Sequence, residues 1–567
     1  MSRAQVRPAA RVSRLILAVV LVGAVLTGCA GIPREGSVRA GQADIIDESP
    51  LQVFLPSGPQ RDASIQSILL GFIDAASSPE GNYAIAREFL TTGFSATWEP
   101  TAGVTVDSGT GRTATDVDAQ TMQVTVIPVA EVSAAGEYRE VDSAPVPLTY
   151  QFVQVEGQWR ISSAPNGTVV DETTFNDVFS ASSLYFFDPG FRTLVPDRRW
   201  FPRGASAPTK IVNAVLGGPS PWLVGAVVTA FPEGTALTAD TVQVVGRSAM
   251  VDLNNEALNA DRITLERMKA QLTSSLPAGM SVQISIDQNP QGIEDLTSAE
   301  LAVNPRVDAR ALVLRNGELG FLAASGQSLT PIGGISDGVV GLNPSAITLG
   351  SGQRSAAVLA GSGVYVVRAG DAPVLLDQRP RLIAPSIDVE GFVWSVPADQ
   401  PGAVLVFGST SQAIAVPTPW PEATAIQSLK VSRDGTRLAV AFTIGPESRL
   451  VVVGIIRKDG VPVGLGPPMQ IAADIGVPLD VAWIDEMTVA SLSAQPTGTR
   501  EIVAREIGGV STTLESPPAG AALAGSNSLR DLRALTTGGG LQVQRGVGWQ
   551  QRLDGVRVLA TQQGINQ

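Results

Sequence analysis

The sequence contains no histidine, one cysteine, and only four lysines among its 40 basic residues. Without histidine, the chain cannot build a Ser-His-Asp or Cys-His catalytic site or a His-ligated zinc site. It also lacks the side chain that most often serves as a general base near neutral pH. One cysteine cannot form a disulfide within the chain or an iron–sulfur site. We therefore expect no enzyme activity, no catalytic residues, no cofactor and no metal.

The single cysteine, Cys29, follows a basic N-terminus and a short apolar run. The first fourteen residues contain four arginines and no acidic residue, and Leu15–Leu26 is uncharged. Twelve residues are too few for a membrane-spanning helix, which needs ~20, but they fit the apolar core of a signal peptide. The alternative is an ordinary signal peptide with a chance cysteine.

A cysteine directly after the small residues Thr27 and Gly28 is typical of the bacterial lipobox. We expect residues 1–28 to be removed between Gly28 and Cys29, and Cys29 to carry an S-diacylglycerol and an N-acyl chain such as palmitate. Stable anchoring needs more than one acyl chain, and this modification supplies two or three. The sequence thus predicts a lipid-anchored protein on the extracytoplasmic face of the cell membrane.

The formal net charge is −13 over 567 residues, and loss of the N-terminal arginines makes it more negative. A strongly acidic chain is a poor partner for nucleic acid and is not attracted to anionic lipid. Membrane attachment therefore depends on the lipid. The length exceeds what one hydrophobic core usually supports, so several domains are expected.

The first two predicted domains mix helices and strands. Residues 29–60 are rich in Gly, Pro and charge and are expected to form a tether. In residues 61–170, Asp62 or Ser64 caps a first helix, a second helix runs from Tyr83 to about Thr91, and strands follow, which is the α+β pattern of an NTF2-like domain. Residues 171–300 read as an α/β domain. Its helix Ala207–Gly217 ends at a glycine, and Asp261 caps another helix.

Residues 301–567 show short strands and turns with no convincing helix. Apolar strand triplets recur at roughly 40–50-residue intervals, the size of a propeller blade. The stretch Ser432-Arg433-Asp434-Gly435 resembles a blade turn. The block that starts near Arg310 has one strand too few, and Val556–Ala560 stands alone at the end. We predict that this last strand completes the first blade of an all-β six-bladed propeller, because closure removes exposed sheet edges.

Several motifs admit a chemical interpretation beside a structural one. Asp116 and Asp118 would bind calcium or lie on a solvated turn, and the second is favoured because no glycine and distal glutamate follow at loop spacing. Asp485, Glu486 and Glu447 would serve glycoside hydrolysis or lie as surface charges on propeller turns. Trp98 and Trp159 would contact a ligand or pack in the core, and core packing is favoured. Five other aromatics would either form an exposed patch at a domain junction that contacts a partner, or pack in the core. They are Trp200, Phe201, Trp222, Phe231 and Trp420.

Over essentially its full length the chain resembles the actinobacterial lipoprotein family LpqB, with an NTF2-like domain, a GerMN domain and a propeller. The motifs that carry the resemblance are the lipobox at Cys29, Arg87–Thr91 with Trp98, Trp159–Ile161 with Pro165–Gly167, Leu184–Pro189 with Val195–Arg198, and Val215–Pro219 with Phe231–Thr235. The resemblance implies a partner, the extracytoplasmic domain of the MtrB sensor histidine kinase. Through it the protein would influence the response regulator MtrA, and so cell-wall homeostasis and division. The family brings no catalytic residues.

Two other functions stay open from the sequence. The protein could bind a solute or a wall glycan in the propeller channel or in the NTF2-like cone. It could also be a propeller-type hydrolase, although the missing histidine weighs against that. The leading hypothesis is a non-enzymatic interaction protein, because tethering raises the effective concentration of a weak partner without further contacts.

Overall fold

The computed structural model describes residues 56–141, 143–297, 301–326, 328–473, 475–546 and 548–564. Cys29, the predicted signal peptide and nearly all of the predicted tether lie outside these residues. All of the described residues lie in one compact unit, Leu51–Gln567.

The first domain begins with three helices that cover one sheet. Ser64 caps the first helix by accepting a hydrogen bond from the Ser67 amide at 3.2 Å, as one of the two caps predicted. Thr91 caps the third in the same way, so the predicted helix from Tyr83 to Thr91 is wrong: it ends early and a separate helix follows. The helices are α1 (Ile65–Ala75), α2 (Ala84–Glu88) and α3 (Thr92–Thr97).

Eight strands of the first domain form two four-stranded sheets, ordered β2-β3-β6-β7 and β5-β4-β1-β8. Their core is aromatic, with Trp98 against Phe72 and Tyr83, and Tyr150 against Phe72. Trp98 is buried and Trp159 packs beside this core, which confirms their assignment to packing. The strands are β1 (Gly103–Asp107), β2 (Thr113–Asp118), β3 (Thr121–Val126), β4 (Pro128–Ser133), β5 (Tyr138–Glu140), β6 (Val146–Val155), β7 (Gln158–Ser163) and β8 (Thr168–Asp171).

The second domain is organised around a long antiparallel hairpin, which pairs Phe179–Phe187 with Thr193–Pro202. The second half of the strand after the turn is polar, and its residues contact the neighbouring domains. Gly217 ends the first long helix and Asp261 caps the second, as predicted. The elements are α4 (Glu172–Val178), β9 (Phe179–Phe187), β10 (Thr193–Pro202), α5 (Ala207–Leu216), β11 (Gln243–Val245), β12 (Ser248–Leu253), α6 (Arg262–Ser275), β13 (Ser281–Ile286), β14 (Asn289–Pro290) and β15 (Ala302–Val303).

Beyond these domains, the described residues of the C-terminal half form six sheets. In chain order the sheets are Leu312–Arg315, Glu318–Leu322, Leu329–Thr330 and Val556–Leu559; Ala346–Leu349, Ser355–Ala360, Gly363–Arg368, Val374–Asp377 and Thr561–Gln562; Ser386–Ile387, Val393–Ser395, Leu405–Phe407 and Ala413–Ala415; Ala425–Val431, Arg437–Ile444, Glu447–Lys458, Val461–Leu465 and Met469–Ala473; Val477–Trp483, Thr488–Ala494, Arg500–Glu506 and Ser511–Glu515; and Gly520–Ala524, Arg533–Thr536, Leu541–Arg545 and Gly548–Leu553. One short helix, α7 (Ser336–Gly341), was not expected from the sequence.

These six sheets make a ring. The inner strands contact one another consecutively, from Val556–Leu559 through the first strands of the next five sheets and back to Val556–Leu559. The prediction for the last strand is confirmed, since Val556–Leu559 pairs antiparallel with Leu312–Arg315 in the first sheet. Thr561–Gln562 then pairs with Ala346–Leu349 of the second sheet. The two consecutive strands Val556–Leu559 and Thr561–Gln562 therefore connect two neighbouring sheets.

The second domain and the ring share one hydrophobic core. Phe186, Val212 and Leu223 of the second domain cluster with Ala439 and Val452 of the ring, all of them fully buried. Burial of this continuous apolar surface stabilises the docked arrangement, at roughly 25 cal/mol per Å². The first domain also reaches the ring, where the Ser511 amide and hydroxyl donate to the Glu140 carboxylate at 3.0 and 2.9 Å.

Gly454 marks the closest approach of the ring to the second domain. A Cβ there would lie 2.6 Å from Ala226 Cβ and 2.9 Å from the Trp222 carbonyl oxygen. We expect Gly454→Val to lower the apparent free energy of unfolding by about 1–3 kcal/mol, because a well-packed contact cannot admit the extra carbons. Urea denaturation followed by circular dichroism, with limited proteolysis for undocking, measures this.

Gly464→Ala is the matched control, because a Cβ at Gly464 on a nearby strand meets no atom within 4 Å. This variant should unfold like the wild type. Equal stability of the two glycine variants would contradict tight docking of the ring against the second domain.

Candidate functional site

A cleft of about 430 Å³ lies between the first and second domains. We call it the interdomain cleft. Clefts at domain junctions are common places for ligand sites. The residues that line it are Tyr83, Pro100, Thr101, Gly103, Val104, Val132, Ser133, Ala134, Ala135, Gly136, Phe179, Arg199, Trp200, Phe201, Pro202, Lys210, Asn213, Ala214, Gly217 and Gly218.

One wall of the cleft is the turn after β4, which is fixed to β10 by hydrogen bonds. The Trp200 amide donates to the Gly136 carbonyl at 2.7 Å, and Arg199 Nη1 donates to the Ala135 carbonyl at 2.8 Å. Gly136 has φ +83°, and a Cβ there would lie 2.9 Å from the Trp200 carbonyl oxygen. Glycine is therefore required at this turn, both for its backbone conformation and for the close approach.

The positive charge of the Arg199 guanidinium is balanced by a carboxylate of the same strand. Its Nη2 lies 2.8 Å from Asp197 Oδ2 in a pair that is almost fully buried. The Asp197 carboxylate also accepts hydrogen bonds from the Ser220 amide and hydroxyl, both at 2.7 Å. This network joins the strand to the segment after α5, so the charge of Arg199 serves the structure of the wall.

The opposite wall is one face of α5. Lys210, Asn213 and Ala214 lie on it at helical spacing, and Gly217 follows at the end of the helix. Burial lowers the pKa of the half-buried Lys210 ammonium, and the Glu80 carboxylate opposes the shift. Among the residues that the structure describes, none forms a hydrogen bond or an ion pair with this ammonium group.

Trp200 is where the three parts of the molecule meet. It packs against Tyr138 and Phe175 at the back of the cleft, and its Nε1 donates to the Gly508 carbonyl of the ring at 2.8 Å. The hypothesis of an exposed aromatic patch is wrong, because Trp200 is half-buried and the other four residues are buried. Those four are Phe201, Trp222, Phe231 and Trp420. These aromatics pack into the molecule, Trp200 and Trp222 at contacts between its parts.

A partly buried polar cluster joins the second domain to the ring. The Tyr185 hydroxyl donates to Glu486 Oε1 at 2.8 Å, and Arg437, paired with Asp434, lies nearby. Burial raises the pKa of Glu486, while Tyr185 and Arg437 oppose the shift. Glu486 Oε2 and Arg437 Nε are buried without a hydrogen-bond partner. A charged carboxylate is therefore poorly stabilised at this contact.

Glu486 should make stability depend on pH. Because its pKa is raised in the folded protein, the stability it contributes is complete below the unfolded value, about 4.3, and is lost as the pH rises through the folded value. Glu486→Gln keeps an oxygen for the Tyr185 hydroxyl and does not titrate. Relative to the wild type, we expect this variant to gain stability as the pH rises through that window.

Urea denaturation at several pH values between mild acid and neutrality measures the difference. Glu233→Gln, at an exposed position, is the control and should not change with pH in this way. A stability difference between Glu486→Gln and the wild type that is constant with pH would contradict the burial argument.

The centre of the ring is filled by polar side chains and the chain end. Arg433 is buried and donates to the Ile484 carbonyl at 2.8 Å, and burial lowers its pKa to about 10. Gln563 Nε2 donates to the Val431 carbonyl at 3.3 Å. A cavity of about 30 Å³, roughly the volume of one water molecule, lies among these residues. A cavity of this size is too small for a solute or a glycan, and aromatic side chains pack the core of the first domain.

The candidate acidic residues do not form a catalytic pair. Asp485 accepts hydrogen bonds from the Met487 and Thr488 amides at 2.8 and 2.7 Å, so it shapes a turn. Glu486 is occupied by Tyr185, and Glu447 begins a strand of a different sheet, beside Arg449. Glu447 is an exposed surface charge, as expected, although it begins a strand directly after a turn. The expectation of a surface charge is wrong for Glu486, which is half-buried with its Oε2 atom inaccessible.

Asp116 and Asp118 lie on the exposed strand β2, so the expected turn is wrong. Within the described ranges, no group of three or more acidic, Cys or His side chains is placed to hold a metal ion. No helix among those residues is long and apolar enough to cross a membrane.

The motifs singled out in the sequence make structural contacts, some within one domain and one between domains. In the first domain, Trp98 Nε1 donates to the Pro165 carbonyl at 3.3 Å, and the Glu99 amide donates to Asn166 Oδ1 at 3.2 Å. In the second, Arg198 pairs with Glu506 of the ring. Cys29, the predicted lipidation site, lies outside the described residues.

Three family profiles match the chain in succession. The profile described as "Lipoprotein LpqB, N-terminal domain" matches residues 58–176, and that described as "Sporulation and spore germination" matches residues 183–292. The "Lipoprotein LpqB beta-propeller domain" matches residues 320–559. The ring of sheets thus belongs to a propeller domain.

Several curated relatives share the name Lipoprotein LpqB. The chain is 26% identical to that of Thermobifida fusca, over 95% of each chain, and 28% identical to that of Streptomyces coelicolor, over 80% of each. The match to the Cutibacterium acnes protein is 29% identical and spans about half, 54%, of each chain. None of these names denotes an enzyme, in agreement with the expectation from the sequence.

Among solved structures, the chain resembles TolB from Acinetobacter baumannii, with a TM-score of 0.31 and 12% identity. The alignment covers 41% of this chain and 60% of that one.

Proposed function

The chain belongs to the LpqB family of lipoproteins, and we propose that it acts outside the cytoplasmic membrane as an accessory partner of a sensor histidine kinase. Lipid on Cys29 would hold it on the extracytoplasmic face. The kinase would be of the MtrB type, and the effect would pass through its response regulator to cell-wall homeostasis and division. The order of the matched domains behind the lipobox cysteine is the observation that carries this proposal.

The packing of the described residues supports a function that depends on binding. The acidic candidates are engaged in structural contacts, and polar side chains occupy the centre of the ring. The outer surface of the molecule is then the part available for binding a partner. The second domain and the ring are held together by a shared hydrophobic core and by the Arg198–Glu506 ion pair. Under this proposal the first domain is NTF2-like, the six sheets are the blades of a closed propeller, and the two N-terminal domains, nearest the tether, meet the kinase.

Co-purification from solubilised membranes tests the partnership. The tagged full-length protein should recover the kinase, and the purified Cys29→Ala protein should bind the isolated sensor domain without detergent. The second arm separates direct contact from shared residence in a micelle. Absence of binding in both arms would contradict the proposal. A tether makes a weak interface sufficient, so the second arm needs high protein concentrations.

A further inference from the structure

The interdomain cleft has no role in the function proposed above. Its walls are mostly apolar, with Val104 and Val132 on one side and Phe179, Phe201 and Ala214 on the other. Its volume, about 430 Å³, lies within the range of roughly 300–1,000 Å³ of pockets that hold small molecules. Apolar surface of this kind favours a hydrocarbon body over a sugar, which needs many hydrogen-bonding groups.

One cation is available in this apolar cleft. The Arg199 charge is matched by Asp197, whereas the described residues provide no hydrogen bond or ion pair for the Lys210 ammonium, only the longer-range attraction of the Glu80 carboxylate. Its half-burial deprives the ammonium of part of its hydration, and a partly buried charge gains most from an opposite charge placed beside it. The cleft therefore complements a molecule with one negative charge at one end.

We infer that the interdomain cleft binds a single-chain anionic lipid, with its hydrocarbon chain along the apolar walls and its acidic head group on Lys210. Asn213 lies one turn further along the same helix face and offers a second polar group near the head. Inorganic phosphate alone would leave the apolar walls unused, and a cationic amphiphile would meet Lys210 with the wrong charge. The inference is independent of the kinase partnership.

Binding of laurate to the purified full-length protein tests the inference. Isothermal titration, kept below the micelle concentration, compares laurate with dodecanol and dodecylamine, which share its chain length and differ in head-group charge. Laurate should bind saturably, and dodecanol and dodecylamine should bind at least about tenfold more weakly, since a charge-assisted hydrogen bond is lost. Lys210→Met keeps the apolar stem and should weaken laurate binding about tenfold, without weakening dodecanol.

Two variants complete the test. Lys458→Met removes an exposed lysine of the ring and should leave laurate binding unchanged. Ala134→Trp adds a ring from an exposed turn residue of the cleft wall and should abolish binding by filling the cleft, with little effect on the fold. Laurate that does not bind, or that binds Lys210→Met and Ala134→Trp as well as the wild type, would overturn the inference. Kinase co-purification would be unaffected by either result.

Discussion

Replacing Cys29 with alanine should abolish lipid modification and release the protein from the membrane, because this residue is the only thiol in the chain. Each buried CH₂ of an acyl chain contributes about 0.8 kcal/mol to membrane binding, so loss of the chains removes essentially all of the anchoring energy. The acidic body offers no electrostatic attraction to anionic lipid in its place. Metabolic labelling with an alkyne fatty acid and sedimentation of washed membranes measure the two effects.

Ser37→Ala, in the predicted tether, is the control and should label and sediment like the wild type. Because residue 29 belongs to the predicted tether, the purified Cys29→Ala protein should keep the circular dichroism and unfolding of the wild-type domains. Acyl label on Cys29→Ala protein would contradict the lipobox assignment.

Replacing Arg437 with alanine should cause a larger loss of stability than the Gly454→Val substitution proposed above. Its guanidinium is fully buried, pairs with Asp434 and lies over the Trp483 ring with its centre at 5.2 Å. Although burial opposes ionisation, Arg437 and Thr436 hold the pKa of Asp434 below its usual value. Removal of Arg437 leaves a buried unpaired carboxylate, at a cost of about 3–5 kcal/mol.

The chain offers a matched control for this loss. Arg381 pairs with Asp399 at 3.4 Å on the surface, with Arg381 69% exposed, and its replacement with alanine should cost no more than about 1 kcal/mol. Urea denaturation of the two variants under the same conditions makes the comparison. The double variant Asp434→Leu/Arg437→Leu should recover part of the loss, because it leaves no charge unpaired. Similar unfolding of Arg437→Ala and Arg381→Ala would contradict the structural role of the pair.

The parts of the fold that local chemistry dictates were predictable from the sequence. Ser64 and Asp261 begin helices by capping, and Gly217 ends one, as their residue types predict. The place of Val556–Leu559 in the first sheet was predictable because the first block lacked a strand. The short helices Thr92–Thr97 and Ser336–Gly341 were missed, since one or two turns carry no readable periodicity.

The candidate site itself could not be predicted. The turn Ser133–Gly136 and the helix face at Lys210 are far apart in the sequence, and they face each other only because β10 passes between domains. Glu486 was likewise predicted to be a surface charge, because its partner Tyr185 is 301 residues away in the sequence. The polar residues of β10 signalled these contacts: Asp197, Arg198 and Arg199 interrupt an apolar strand, which indicates polar partners in other parts of the chain.

Crosslinking of native membranes reveals whether the lipid-anchored body touches a sensor kinase in the cell. A carboxyl-reactive reagent suits this chain, because it has 53 acidic residues and only four lysines. We expect mass spectrometry to find crosslinks between residues 61–300 and the extracytoplasmic domain of the kinase, and we expect Cys29→Ala to reduce them greatly. Crosslinks confined to other proteins, or kinase crosslinks as abundant in Cys29→Ala cells, would contradict the proposed partnership.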